Sequence, residues 1–167
     1  MAPAATPSTA PAGPTSALAP TRPPQIALPT PPPEMSRDDE TGAIAAARHF
    51  LDLYRYTESS QDVAAWAAVS HPECVFCRSV MKDVADRKAA GELVTPAAMT
   101  VHAVRTSPLG PLAYSVEFDL STGPDAVSRV DGTLVSEGNQ ERGRMAAVVV
   151  YQQSRWIVRE VDLEAGQ

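Results

Sequence analysis

No basic run longer than a residue or two occurs in this chain, and its formal net charge is -6 with a pI near 5.0. Nucleic acid and anionic membranes attract Lys/Arg stripes, so neither is an expected partner. Long apolar runs are missing as well. The most apolar segment, Met145 to Tyr151, is far short of the roughly 20 residues that span a bilayer, which excludes a transmembrane helix. The N-terminus lacks a basic stretch followed by an apolar one, so it does not read as a secretory leader. There is no G-x-S-x-G, no glycine-rich phosphate loop and no metal-ligand cluster. The expectation is therefore a noncatalytic protein with no cofactor and no metal.

What is present divides into two parts. Residues 1–34 repeat proline among Ala, Thr and Ser, as in Pro23-Pro24 and Pro31-Pro32-Pro33, with Arg22 the sole charge before Glu34. Such a stretch has little to bury against its ordering entropy and reads as a disordered tether. Proline fixes φ, giving a stiff polyproline-II-like spacer of about 3.1 Å per residue, up to about 100 Å long. Residues 35–163 are the size of one domain with one core, and 164–167 read as a tail.

Within the domain, Ala43, Ile44, Ala47, Phe50, Leu51 and Tyr54 follow the spacing of one buried helix face, with Thr41 as the expected cap. A second helix is expected over Asp62 to Ser70, anchored by Trp66. A third should start near Pro72 and stop at Ala90, where Gly91 suits the position past a helix end. Beyond Gly91 the period falls to two: Met99, Val101 and Ala103, then Tyr114, Val116, Phe118 and Leu120. Further strands are expected over Val127 to Val135, Arg144 to Tyr151 and Arg155 to Leu163. Three helices followed by a meander of four to five antiparallel strands is an α+β layout, with the helices covering one face of a curved sheet.

Cys74 and Cys77, three apart on the predicted helix, would have Cα atoms about 5 Å apart, inside the range a disulfide needs. The loop is short, so such a bond would add on the order of 2 kcal/mol at most. Reduced thiols, a redox pair and a metal site are the alternatives. Glu73 beside the first sulfur and the absence of a preceding βαβ pattern argue against redox chemistry. A zinc ion would need two further ligands, and only His49, His71 and His102 could supply histidines.

The aromatic helix Phe50-Leu51-Asp52-Leu53-Tyr54, the Trp66 helix and the closing strand Arg155-Trp156-Ile157-Val158-Arg159-Glu160-Val161 resemble the nuclear transport factor 2-like superfamily. That cone wraps a bent antiparallel sheet around a long first helix. More narrowly, the Pro/Thr-rich leader, the segment Ser70 to Cys77 and a helix ending Ala89-Ala90-Gly91 look like a family of actinobacterial secreted or lipid-anchored proteins of unknown function. The resemblance implies an extracytoplasmic location, with a lipid anchor upstream of Met1; a cytoplasmic location is the alternative. A ligand, a small molecule or a protein, is expected to enter between the first helix and the sheet, with Phe50, Tyr54, Trp66, Tyr114, Phe118 and Trp156 as the pocket lining, plain core packing being the ordinary alternative for each of the six. Enzymes of that superfamily use acids and histidines at the mouth of the cone, which makes His49, Asp52, Tyr54 and His102 the residues to weigh, and Glu117 with Asp119 a carboxylate pair. His49 and Asp52 flank the apolar stripe, where a solvated edge is the ordinary explanation. The rivals to a binding module are a small isomerase- or dehydratase-type enzyme and a structural domain that forms a homodimer through its sheet.

Overall fold

The computed structural model describes residues 25–166. Helix α1 (Glu40–Ser60) is the axis of the molecule. Its cap is Asp39, not Thr41: the Asp39 carboxylate accepts the Gly42 amide at 3.2 Å, and its charge also suits the positive end of the helix dipole. Gln61 ends the helix in the left-handed conformation, φ 59°. Helix α2 (Ala64–Val69) is short. Helix α3 (Val75–Ala90) begins three residues after Pro72, with Cys74 as its N-cap, and stops at Gly91, φ 69°.

Seven strands follow: β1 (Glu92–Thr95), β2 (Met99–Gly110), β3 (Ala113–Thr122), β4 (Ala126–Arg129), β5 (Leu134–Glu137), β6 (Glu141–Gln152) and β7 (Arg155–Ala165). They form two antiparallel sheets, β2-β3-β6-β7 and β1-β4-β5. The larger one carries the predicted meander. Its inner face presents Val116, Phe118, Met145, Ala147 and Val149 to α1, and these residues join Phe50, Leu53, Trp66, Cys77 and Val80 in one core. Strand β7 runs past Leu163, with Glu164 and Ala165 paired to Arg144 and Gly143, so the expected tail begins later than residue 164.

The single strand expected over Val127 to Val135 is two. A turn at Asp131-Gly132 separates them, with Asp131 Oδ1 accepting the Thr133 amide at 2.9 Å and Gly132 at φ 88°. Asp-Gly is a strong hairpin signal, and it outweighs the apolar residues on either side. Strand β1, four residues long, is too short to show a period.

The boundary drawn from composition at Glu34 is also displaced. Ile26, Pro29, Pro32 and Met35 are half-buried while their neighbours from residue 25 to 37 are exposed, a period of three, as in a polyproline II helix. Pro32 has the matching backbone, φ -67° and ψ 148°, and a 3-10 turn over Pro33–Ser36 follows. The Ile26 amide meets Ser59 Oγ at 3.4 Å, whereas the carbonyl of Arg37 lies against Gly42 at the other end of α1. A Cβ on Gly42 would stand 2.0 Å from that oxygen, so only glycine permits the approach. Ile26 to Ser36 spans about 27 Å at these rises, and Gly42 to Ser59 about 26 Å. Residues 26–36 are thus a strap lying antiparallel along α1. Compositional arguments miss it because the prolines are prefixed in the bound conformation, so docking orders them at little further entropy cost. The tether expected over residues 1–24 lies outside the described residues.

Candidate functional site

Along one flank of the C-terminal half of α1 the packing against the sheet is incomplete. Here the inner ends of β3 and β6, the β1–β2 connection and the first turn of α3 enclose a cavity of about 620 Å³ with α1. Its floor is apolar: Phe50, Leu51, Phe76, Met99, Leu120 and Met145. Phe76 is carried into the wall by the start of α3. Its ring centroid lies 6.5 Å from that of Phe50 and 6.2 Å from that of Tyr54.

Polar groups converge from one side. Tyr54 and Glu58, one helical turn apart, face the cavity together. Glu58 is buried and ion-paired with Arg87 of α3. Burial, only partly offset by Arg87, pushes the Glu58 carboxyl above the usual carboxylate range, and nearby Asp83 and Asp125 add to that shift. Burial chiefly, with Glu58 next, pushes the Tyr54 phenol up to about 12, so it stays protonated at neutral pH. Asp125 also lines the cavity beside Gly138. A Cβ at 138 would stand 1.8 Å from Asp125 Oδ1, so glycine keeps the space that the carboxylate occupies. Arg55 is held to the wall by its Nε–H, which donates to the Ala97 carbonyl at 3.1 Å. Glu141, Arg142, Arg144 and Glu164 form the exposed rim.

Of the six aromatic residues expected to line a pocket, Phe50 and Tyr54 border this cavity and four do not. Trp66 is wholly buried behind Phe50, stacked at 4.2 Å, and its Nε1–H donates to the Cys77 carbonyl at 3.1 Å. Phe118 is wholly buried in the core. Trp156 packs at the opposite end, where Nε1–H donates to the Arg37 carbonyl at 2.9 Å, with Tyr114 at 6.0 Å. Those four hold the cone together. Sequence reasoning missed Phe76, Glu58 and Asp125. Tyr54 and Glu58 at i and i+4 was a readable signal; Asp125 lies in a loop, where no periodicity reaches.

The histidines and carboxylates weighed for acid-base work are scattered. His49 is buried rather than on a solvated edge, which pushes its pKa below the ordinary value. It lies seven residues from Gly42, on the same face of α1. Asp52 is exposed. His102 is exposed at a β-bulge, its Nε2 2.8 Å from Ser121 Oγ. Asp119 and Glu117 pair with Arg105, and that guanidinium holds Asp119 below the usual carboxylate range. None of these lines the cavity.

Cys74 and Cys77 stand as a close pair, sulfurs 2.08 Å apart and Cα atoms 5.2 Å apart, both buried. They flank Val75 and Phe76, so the pair braces the turn that sets the Phe76 ring in the cavity wall. No group of three or more His, Cys, Asp or Glu among the described residues is arranged to hold a metal ion, and no helix there is long and apolar enough to cross a membrane.

Comparison with solved structures places the architecture. The intermembrane space region of the chloroplast protein ARC6 matches with a TM-score of 0.59 at 15% identity, over 78% of this chain and 99% of that one. A nuclear transport factor 2-like superfamily protein from Salmonella enterica matches with a TM-score of 0.53 at 13% identity, over 77% and 94%. A protein from Catenulispora acidiphila matches with 0.51 at 12% identity, over 75% and 93%. At these identities the likeness shows the fold alone, an α+β cone of the nuclear transport factor 2-like kind. No curated protein matches the sequence. The model of a family of unknown function, DUF6318, matches residues 17–162, which takes in the strap, all three helices and nearly the whole sheet: the chain belongs to the DUF6318 family.

Proposed function

We propose that this domain is a noncatalytic, extracytoplasmic binding module whose ligand sits in the cavity between the C-terminal half of α1 and the sheet. The observation that carries the reading is the cavity itself. A volume of about 620 Å³ with an apolar floor and a few converging polar groups is the ordinary form of a small-molecule site. Two further features support the location: the sulfurs of Cys74 and Cys77 stand at bonding distance, as suits an oxidising compartment, and the Pro/Ala/Thr-rich N-terminus suits a spacer from a cell surface. An intact-mass measurement on unreduced protein should fall two hydrogens below the reduced form; full thiol labelling of both cysteines would count against the compartment.

The cavity is tested by fluorescence titration with the neutral probe N-phenyl-1-naphthylamine. One saturable site per chain is expected, abolished when Leu120→Trp fills the floor. No saturable binding, or binding indifferent to that variant, would overturn the reading. Glu58 favours a second reading, a small cone-fold enzyme of isomerase or dehydratase type, because a buried carboxyl whose pKa is raised above the usual carboxylate range is the kind of group that serves in acid-base catalysis. In that case Glu58→Gln would abolish turnover while leaving probe binding intact.

A further inference from the structure

Resting on the cavity reading, we infer that the site selects organic cations: a flat apolar body of two rings or so carrying an ammonium group. Two independent features of the wall converge on that chemistry. The first is aromatic. Phe50, Tyr54 and Phe76 all border the cavity, and their faces are tilted to one another by 34° and 52° about Phe76. A ring face carries negative potential and attracts a cation within about 6 Å.

The second is the charge around Tyr54. The charged groups acting on its hydroxyl are the carboxylates of Glu58, Asp125 and Asp83 against the guanidinium of Arg87 alone. Glu58 and Arg87 pair with each other, which leaves Asp125 on the cavity wall as a carboxylate with no ion-pair partner among the described residues. Of the other cations near the site, Arg55 keeps its charge while its Nε–H is directed to the Ala97 carbonyl, Arg144 pairs with Asp119 and Glu164, and Arg142 is on the exposed rim. The Asp125 carboxylate, when ionised, only accepts hydrogen bonds, so a ligand group that donates hydrogen bonds and carries positive charge is the one it matches. An anionic ligand would meet repulsion at the same place. The apolar floor takes the rings.

Three probes sharing one naphthylmethyl body decide it: 1-naphthylmethylammonium, neutral 1-naphthylmethanol and anionic 1-naphthylacetate, each titrated calorimetrically at low salt into the full chain. The ammonium probe should bind about tenfold more tightly than the neutral one, the size of a partly desolvated cation-ring contact plus a carboxylate, and the anion more weakly than both. Asp125→Asn, which alters a half-buried loop residue, should weaken the ammonium probe several-fold more than the neutral one. Tyr54→Leu should do so too. Equal affinities for all three probes would overturn the cation preference and leave the cavity reading standing; no binding of any probe would overturn both.

Discussion

The two sides of α1 have been solved differently by one chain. From Gly42 to Ser59 the helix is lined by a strap of the chain's own backbone, with half-buried prolines and the contact of a carbonyl with a glycine. Opposite, over the last two turns, the strands end and the helix faces a cavity rimmed with charge. The closed side is held by backbone groups that have their partners, Ser59 for the Ile26 amide and Trp156 for the Arg37 carbonyl, whereas the open side leaves the Tyr54 phenol, the Asp125 carboxylate and the Phe76 ring bordering the cavity. Tight packing elsewhere is what allows α1 to leave this gap.

The largest effect should come from breaking the packed interior that supports both sides. Trp66→Ala removes a wholly buried ring, its stacking on Phe50 and its hydrogen bond to Cys77, and should cost about 3–5 kcal/mol by urea denaturation. Tyr54→Leu, on the cavity wall, should cost under about 1.5 kcal/mol. Equal costs would mean that the cavity is as closed as the core.

Removing the strap comes next. Composition alone says that deleting residues 1–34 leaves the melting temperature within a few degrees. The half-buried Ile26, Pro29 and Pro32 say otherwise: a loss of about 2 kcal/mol, or roughly 5–8 °C. A shift under 2 °C or so would show the strap to be dispensable.

The two sides should also differ in the sign of their pH dependence. His49, on the Gly42 face of α1, has its pKa lowered by burial, so the folded state resists protonation. Its contribution is present above the ordinary value of 6.5 and lost as the pH falls from there through the folded value. Glu58, on the open side, has its pKa raised, so the folded state holds the proton more tightly. That contribution is complete below the ordinary value of 4.5 and lost as the pH rises from there through the folded value. Urea midpoints measured across this range should converge with those of His49→Gln at high pH and separate as the pH drops; the difference from Glu58→Gln should grow as the pH rises. A parallel pH profile for either variant would mean that its group is solvated in the folded state. The smallest effect is expected from Gly138→Ala, under about 1 kcal/mol, yet it should turn the Asp125 carboxylate aside and weaken the ammonium probe.

The helices and the larger sheet were legible because their periods are long: the α1 stripe from Ala43 to Tyr54 and the alternation from Tyr114 to Leu120 each repeat often enough to be read. Strand β1 was not, with four residues, and β4 and β5 merged because Val130, Leu134 and Val135 continue an apolar run across the turn. The strap was hidden by its composition, since its period of three uses proline, which also marks disorder. At the candidate site, the residues on α1 were within reach of sequence reasoning; Asp125 and Gly138 were not, because two loops distant in sequence bring them together. Large aromatics drew attention as pocket lining, yet Trp66, Tyr114, Phe118 and Trp156 are where packing, rather than recognition, needs area.

The central claim is that the open side of α1 is where this protein binds. It is tested most directly by titrating the ¹⁵N-labelled full chain with N-phenyl-1-naphthylamine and mapping the amide shifts. Saturable shifts clustered at residues 54–58, 120–125 and 138–145 are predicted; shifts confined to the strap and the N-terminal half of α1, or none that saturate, would contradict it.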